Sequence, residues 1–383
     1  MNKQPLESDI IIAGGGPVGL YLAGSLGKMG YQVIVLEKKS EIDLHSKSLG
    51  IHPISMELFD EAGIADRFVN NGIQIQKGIA CLDQKKIGEI DFQSCTRPFN
   101  FILALPQYRT EQILEKWVIE FDTVQLIRGA EVVAIDQSES HVSVTFSKES
   151  STLKARSQYL AGCDGKNSIV RKSAGIEFLS KKYPDTYIMG DFSDNTGFGT
   201  NAVVFLHRDG LIESFPLPKN YRRWVVKTDN YFENPTREML DALILNRLDH
   251  NMNHEKNSMI SSFGVQHELA EKFHSGRIAL AGDSAHVVSP IGGQGMNLGW
   301  LTAKNLADTL KICIEKPDRA RYALEVFTKA SRKKAKKVAR RAELNMWLGQ
   351  KRRFPLIRNL IARLMVSPPL NRKMAEIFTM RRL

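Results

Sequence analysis

The stretch Asp9-Ile10-Ile11-Ile12-Ala13-Gly14-Gly15-Gly16-Pro17-Val18-Gly19 decides the fold. Its apolar run is short, unbroken and β-branched, which reads as a parallel strand buried on both faces. The glycines that follow each have a mechanical use. Gly14 permits a tight turn, Gly16 lets backbone approach a pyrophosphate, and Gly19 lets a helix pack on the strand. Leu20, Leu22, Ala23 and Leu26 continue as that helix. Its first turn, with Pro17 and Val18, offers amides and a dipole that favour a diphosphate. Tyr31 to Leu36 is the next strand, and it ends in Glu37, 18 residues after Gly19. An acid there can accept hydrogen bonds from a ribose diol. Strand, helix, second strand and acid together predict a dinucleotide-binding βαβ unit.

A second glycine-rich stretch lies far along the chain. It runs Gly282-Asp283-Ser284-Ala285-His286, then Ser289-Pro290-Ile291-Gly292-Gly293-Gln294-Gly295-Met296-Asn297, and opens a helix expected over Leu298 to Leu310. The first stretch suits the adenine half of a dinucleotide, the second a ribityl chain and a redox ring. Together they suit one FAD held by both ends of the chain.

The 383 residues suffice for two domains, and 43% hydrophobic with 25% charged residues is the composition of a soluble globular protein. Cys81, Cys95, Cys163 and Cys313 are scattered without a CxxC pair, which argues against a disulfide framework or structural zinc and fits a reducing, cytoplasmic setting. The residues before Asp9 lack a signal-peptide layout, and no apolar run is long enough to span a membrane. No cluster has metal-ligand spacing, so no metal is expected.

The pattern predicts an α/β protein: a Rossmann-like FAD-binding domain with an inserted, mainly antiparallel sheet and C-terminal helices. The FAD domain is assigned residues 1–75, 107–179 and 272–330. A helix is expected over 107–128, and strands over Glu131 to Ile135 and His141 to Phe146. The substrate domain is assigned 76–106 and 180–271, from aromatic and β-branched runs such as Ala202 to Phe205 and Trp224 to Val226. Residues 331–383 form a basic helical extension. From Lys329 onward 17 Lys or Arg stand against two acids, Glu343 and Glu376, so the remainder of the chain is net acidic.

Three motifs in order resemble the class A flavoprotein monooxygenases, the group that contains para-hydroxybenzoate hydroxylase, over about residues 8 to 310. They are the glycine turn with Glu37; Cys163-Asp164-Gly165-Lys166-Asn167-Ser168-Ile169-Val170-Arg171; and Gly282-Asp283 with Pro290 and the loop Gly292 to Asn297. The resemblance implies that Asp283 binds ribose or ribityl hydroxyls. It implies that Gly293, Gln294, Gly295, Met296 and Asn297 present backbone amides to the flavin's pyrimidine edge, and that Pro290 sits by the isoalloxazine. Asp164 and Gly165 would link the FAD and NADPH sites, or form an ordinary turn with Asp164 as a helix cap. Gln107 and Arg109 match positions that touch FAD, although Arg109 could equally pair with Glu111 or Glu115. Lys47 stands where the family often has Arg and lacks that residue's bidentate fork. His52 falls on a loop expected near the flavin and could face substrate; His286 reads as a packed or capping side chain.

The implied activity is FAD-dependent monooxygenation. NADPH or NADH reduces the flavin, and one O2-derived oxygen passes through a C4a-hydroperoxyflavin to a small hydrophobic, aromatic substrate. An epoxidase, a prenyl-chain reductase or a flavin-binding protein without turnover are the alternatives; the halogenase WxWxIP signature is missing. No nucleic-acid motif accompanies the basic tail. Leu356, Ile357, Leu360, Ile361, Leu364 and Met365 fall at helical spacing there, with Arg358 and Arg363 on other faces. That helix either packs on the body with its charges solvated or lies on an anionic membrane surface.

Overall fold

The computed structural model describes residues 4–44, 48–95, 98–252, 257–351, 355–381 and 383. The opening strand is Leu6–Ala13, with Ile10, Ile11 and Ile12 fully buried. It pairs in parallel with Val33–Glu37 on one side and Ser151–Gly162 on the other. Val124–Arg128 and Ile278–Leu280 extend the same parallel sheet. The helices Pro17–Lys28, Gln107–Val118 and Gln294–Glu315 supply apolar faces to its core. A hairpin, Ala130–Gln137 and Val142–Lys148, grows antiparallel from the outer part of Ser151–Gly162.

The helix expected over 107–128 stops at Val118, and Val124–Arg128 is a strand. Its Leu126 and Ile127 complete the apolar edge beside Val35 and Leu36. The helix Gln294–Glu315 begins four residues earlier than expected, so Gln294 to Asn297 form its first turn rather than a loop.

Among the described residues, the first sheet and the second are each eight-stranded. In the second, the long members Phe178–Ser193 and Asn257–Ala270 pair antiparallel, followed by Tyr221–Thr228, Gly210–Leu217 and Ala202–His207. Lys77–Leu82 joins Ala202–His207 in parallel, and Lys85–Asp91 closes the edge. Helix Arg237–Leu248 covers one face, with Leu240, Ile244 and Leu248 buried against Ile188, Phe192 and Trp224. Gly50–Ile51, Ile102–Ala104 and Ile73–Ile75 form a third, small sheet among the described residues.

The other face of the second sheet meets the C-terminal helices. The boundary expected after residue 330 falls inside one 30-residue helix, Ala320–Gly349, so the basic run is continuous with the body. Helix Leu356–Met365 packs on the body with one charge inward, where the packing alternative has its charges solvated. Arg358 is buried, and its guanidinium donates to Leu206 O at 3.0 Å and His207 O at 3.1 Å. Leu356 and Leu360 are instead 78% and 60% exposed. The two carbonyls at the end of Ala202–His207 reward a planar fork of donors more than another aliphatic side chain would. Among the described residues, no helix is long and apolar enough to cross a membrane.

Candidate active site

The glycine turn has the mechanics its sequence requires. Gly14 adopts φ +103°, and a Cβ on it would stand 2.3 Å from Cys163 O. A Cβ on Gly19 would stand 1.9 Å from Gly14 O, so that glycine seats the helix under the turn. Gly16 differs: nothing lies within 4 Å of a Cβ built there. That space is a cradle for a ligand, and a side chain would fill it. Gly16 caps helix Pro17–Lys28 without a side-chain hydrogen bond, leaving first-turn amides available to an anion. Glu37 closes the other side, with Oε2 accepting from Gly15 N at 2.6 Å and Oε1 from Lys39 N at 2.9 Å.

The distant glycine stretch lines the same cleft. Gly292 and Gly293 have φ +87° and +64°, and Gly293 caps helix Gln294–Glu315, again without a side-chain bond. Two uncapped helix N-termini therefore open on one cavity of about 850 Å³. Its walls include Gly14, Gly16, Pro17, Val18, Glu37, His52, Gln107, Asp164, Asp283, Pro290, Gly293, Gly295 and Met296. Glycine cradle, carboxylates at Glu37 and Asp283, and helix amides match the diphosphate, diols and electron-rich ring edge of FAD.

Gly19, Gln294, Asn297 and Arg109 are not among the cavity walls. Gly19 is beneath the turn. Gln294 and Asn297 turn inward and are buried. Asn297 ties elements together: its Nδ2 donates to Gly50 O at 2.9 Å and Gly293 O at 2.8 Å, and its Oδ1 accepts from His52 N at 2.8 Å. Arg109 lies aside, donating to Gln112 Oε1 at 3.0 Å, with its guanidinium over the Tyr108 ring. Lys47 is outside the described residues. Asp164 accepts from Val170 N at 3.2 Å, while Ser168 takes the helix-cap position. The Asp164 Oδ1 is buried without a partner among the described residues, and burial raises the carboxyl above its usual range.

Burial also pushes the His52 imidazole down to about 4, so the ring is neutral at physiological pH. His286 is likewise held down to about 4, and its Nε2 meets Thr302 Oγ1 at 2.9 Å, the packed arrangement its sequence context suggests.

Beyond this end, the cleft runs over an apolar face of the second sheet. Ala80, Met189, Val204, Leu211, Phe215 and Val225 line it. Two polar groups interrupt that face and were missed in the sequence. Arg223 donates to both carboxylate oxygens of buried Asp191, at 2.6 and 2.8 Å. Glu213 is 7% exposed and makes no hydrogen bond or ion pair to a described residue. The signal was a lone acid at an inward position of the alternating run Leu211-Ile212-Glu213-Ser214-Phe215. The C-terminal helices supply the opposite wall through Asn345, Leu348, Ala362, Met365 and Phe378.

The profile of the family described as "FAD binding domain" matches residues 7–342. An aromatic compound monooxygenase of Bacillus subtilis, itself described as uncharacterized, is 31% identical over 378 residues, covering 97% of this chain and 74% of that protein. The chain belongs to the class A, FAD-dependent aromatic-ring monooxygenase family. The rifampicin monooxygenase of Streptomyces venezuelae is also 31% identical, over 78% of this chain and 63% of its own length. Thus the chain spans about three fifths to three quarters of these relatives. Among solved structures, the anhydrotetracycline hydroxylase of Streptomyces rimosus superposes with a TM-score of 0.82 at 29% identity, over 99% of this chain and 77% of that one. The p-nitrophenol 4-monooxygenase of Pseudomonas putida shares the fold, with a TM-score of 0.90 at 22% identity and 98% of each chain covered.

Proposed function

We propose that this chain is an NAD(P)H-using FAD monooxygenase that inserts one O2-derived oxygen into an aromatic or other hydrophobic substrate. The observation that carries this reading is the single cleft joining two glycine-capped helix N-termini to an apolar sheet face. In this reading residues 1–75, 107–179 and 272–330 hold FAD, and 76–106 with 180–271 hold the substrate. The turn Gly14 to Val18 receives the diphosphate, Glu37 the ribose and Asp283 the ribityl chain. Amides at Gly293, Gly295 and Met296 face the redox ring, where such donors stabilise negative charge. Asn297 positions this turn rather than touching the ring. When bound, the flavin supplies the redox chemistry, with NAD(P)H as reductant and O2 as oxygen source. The protein's own part is to orient the substrate against the ring and to exclude water.

The hydroxylase name of one relative favours hydroxylation over epoxidation, and the monooxygenase names of the others favour oxygen transfer over prenyl-chain reduction or binding without turnover. Purified protein is expected to bind FAD and to oxidise NADPH faster with an aromatic substrate, with label from 18O2 entering the product. Protein that fails to bind FAD, or that binds it without any NAD(P)H oxidation across an aromatic panel, would overturn this reading.

A cytoplasmic setting is supported by the four free thiols. The exposed Leu356, Ile357, Leu360 and Leu364 beside Arg363 and Lys351 support peripheral contact with an anionic bilayer. Flotation with phosphatidylserine vesicles tests it. Equal flotation of the wild type and a Leu356→Ser/Leu360→Ser variant dismisses the contact.

A further inference from the structure

A second hollow, of about 1060 Å³, shares no lining residue with the cleft. One wall is the first half of helix Ala320–Gly349, and the other is the tight turn from His274 to Arg277. Tyr159 and Leu324 are buried at its floor. The turn sits where strand Ile278–Leu280 begins, whereas the glycine turn and Asp283 lie where these parallel strands end. Arg277 builds the floor. Its Nε donates to Glu139 O at 2.6 Å and its Nη1 to Gln158 O at 3.3 Å, with the guanidinium over the Tyr159 ring.

The charge around this hollow is lopsided. Lys272 from one wall and Lys329, Arg332, Lys333 and Lys336 from the helix line it, and none of the five makes an ion pair with a described residue. Of the two acids lining it, Glu325 is taken by Arg321 at 3.1 Å, which leaves Glu139. The four helical cations are three, four or seven positions apart, so they share one face and lie within about 10 Å along the axis. Like charges at that spacing repel. The chain before Lys329 is net acidic, so this density is not a by-product of general basicity. Arg332 adds a sharper signal: its Nε is buried and meets no acceptor among the described residues.

A concave surface that gathers cations and leaves a buried guanidinium N–H unanswered suits a compact, highly charged anion. We propose that this hollow is a binding site for adjacent phosphates, as in the oligophosphate chain of a nucleoside triphosphate or the multiply phosphorylated headgroup of a lipid. A carboxylate offers one charge and two oxygens. Linked phosphates offer several charges and many acceptor oxygens, enough to engage the Arg332 fork and the surrounding lysines together. The site is separate from the glycine turns, so it stands or falls independently of the monooxygenase reading.

The test uses FAD-loaded full-length protein and calorimetric titration with tripolyphosphate, ATP, orthophosphate and citrate. Tripolyphosphate and ATP are expected to bind one to one, about tenfold or more tighter than orthophosphate or citrate, and to weaken as salt rises. Lys333→Glu/Lys336→Glu should lose about tenfold or more of that affinity. Lys337→Glu/Arg340→Glu makes the same change in net charge outside the hollow and should stay within about threefold of wild type. All four positions are exposed, and unchanged FAD content and Tm confirm folding. Flotation with vesicles containing a phosphoinositide bisphosphate, lost in Lys333→Glu/Lys336→Glu alone, would support the site and identify a lipid headgroup as its source; binding of soluble oligophosphates without flotation would support it and identify a free one. Equal losses in the two double variants would overturn the proposal, since general attraction would then account for binding. Citrate bound as tightly as tripolyphosphate, or no binding of either, would overturn it as well. A single-stranded oligonucleotide bound far more tightly than ATP would replace it with a nucleic-acid surface.

Discussion

Replacing Asn297 with Ala removes a side chain that joins the two halves of the site. Three hydrogen bonds go: Nδ2 to Gly50 O and Gly293 O, and His52 N to Oδ1, at 2.9, 2.8 and 2.8 Å. The position is fully buried, so the His52 amide and Gly50 carbonyl lose a partner without gaining solvent. Each such orphan costs about 1–3 kcal/mol, and a water entering the vacated space offsets part, leaving about 2–4 kcal/mol. Unfolding entropy of about 2 cal/mol/K per residue over 383 residues converts that to a Tm lower by about 3–5 °C. If half the energy is spent loosening the Gly293 turn from the Gly50 strand, FAD affinity falls about tenfold. Thermal melts with and without FAD, together with a calorimetric FAD titration, measure both effects. An Asn297→Ala protein with wild-type Tm and wild-type FAD affinity would refute the claim that this residue holds the cofactor turn in place.

The two glycines of the first turn should separate fold from ligand. Gly14→Ala puts a methyl 2.3 Å from Cys163 O at φ +103° and should cost about 3 kcal/mol or more, seen as poor soluble yield or a sharply lower Tm. Gly16→Ala meets open space, so its apo Tm should match wild type while FAD affinity drops about tenfold or more. Arg358→Ala breaks the fork onto Leu206 O and His207 O and should lose about 2–4 kcal/mol, with Arg358→Lys recovering little of it in the same melt. His52 and His286 are each held down to about 4 in the fold against about 6.5 unfolded, so they add stability above pH 6.5 that is lost as pH falls toward 4. Glu213, raised to about 7, acts oppositely, gaining stability as pH drops from 7 toward 4.5. Tm is therefore expected to fall between pH 6.5 and 4.5, less steeply in His286→Gln and more steeply in Glu213→Gln.

The glycine-rich end of the cleft, proposed above to hold FAD, was legible because its backbone demands are written in local sequence. Gly14 at φ +103° and Gly293 at φ +64° are conformations that sequence announces through glycine itself. Glu37 could be located by counting, since a βαβ unit fixes where the second strand ends. The role of Asn297 was not legible, because its partners Gly50 and His52 lie almost 250 positions away. Glu213 escaped for a related reason. An acid in an alternating strand reads as solvent-facing until the pairing to Val204 and Val225 shows which face is covered. For helix Leu356–Met365 the apolar spacing left packing on the body and a membrane surface both open, and it could not place Arg358, whose guanidinium is taken inside by the carbonyl acceptors at Leu206 and His207 while Leu356 and Leu360 face out.

The wall built by Asn345, Leu348, Ala362, Met365 and Phe378 belongs to a stretch of chain far in sequence from the first glycine turn, with Asn345 beside Gly292 and the Phe378 backbone against His52. Drift at Leu348, Ala362 and Met365 can resize or re-contour the chamber for a different guest while both glycine turns keep their own contacts. Swapping this segment between homologues is therefore a direct route to chimeras that exchange guest preference.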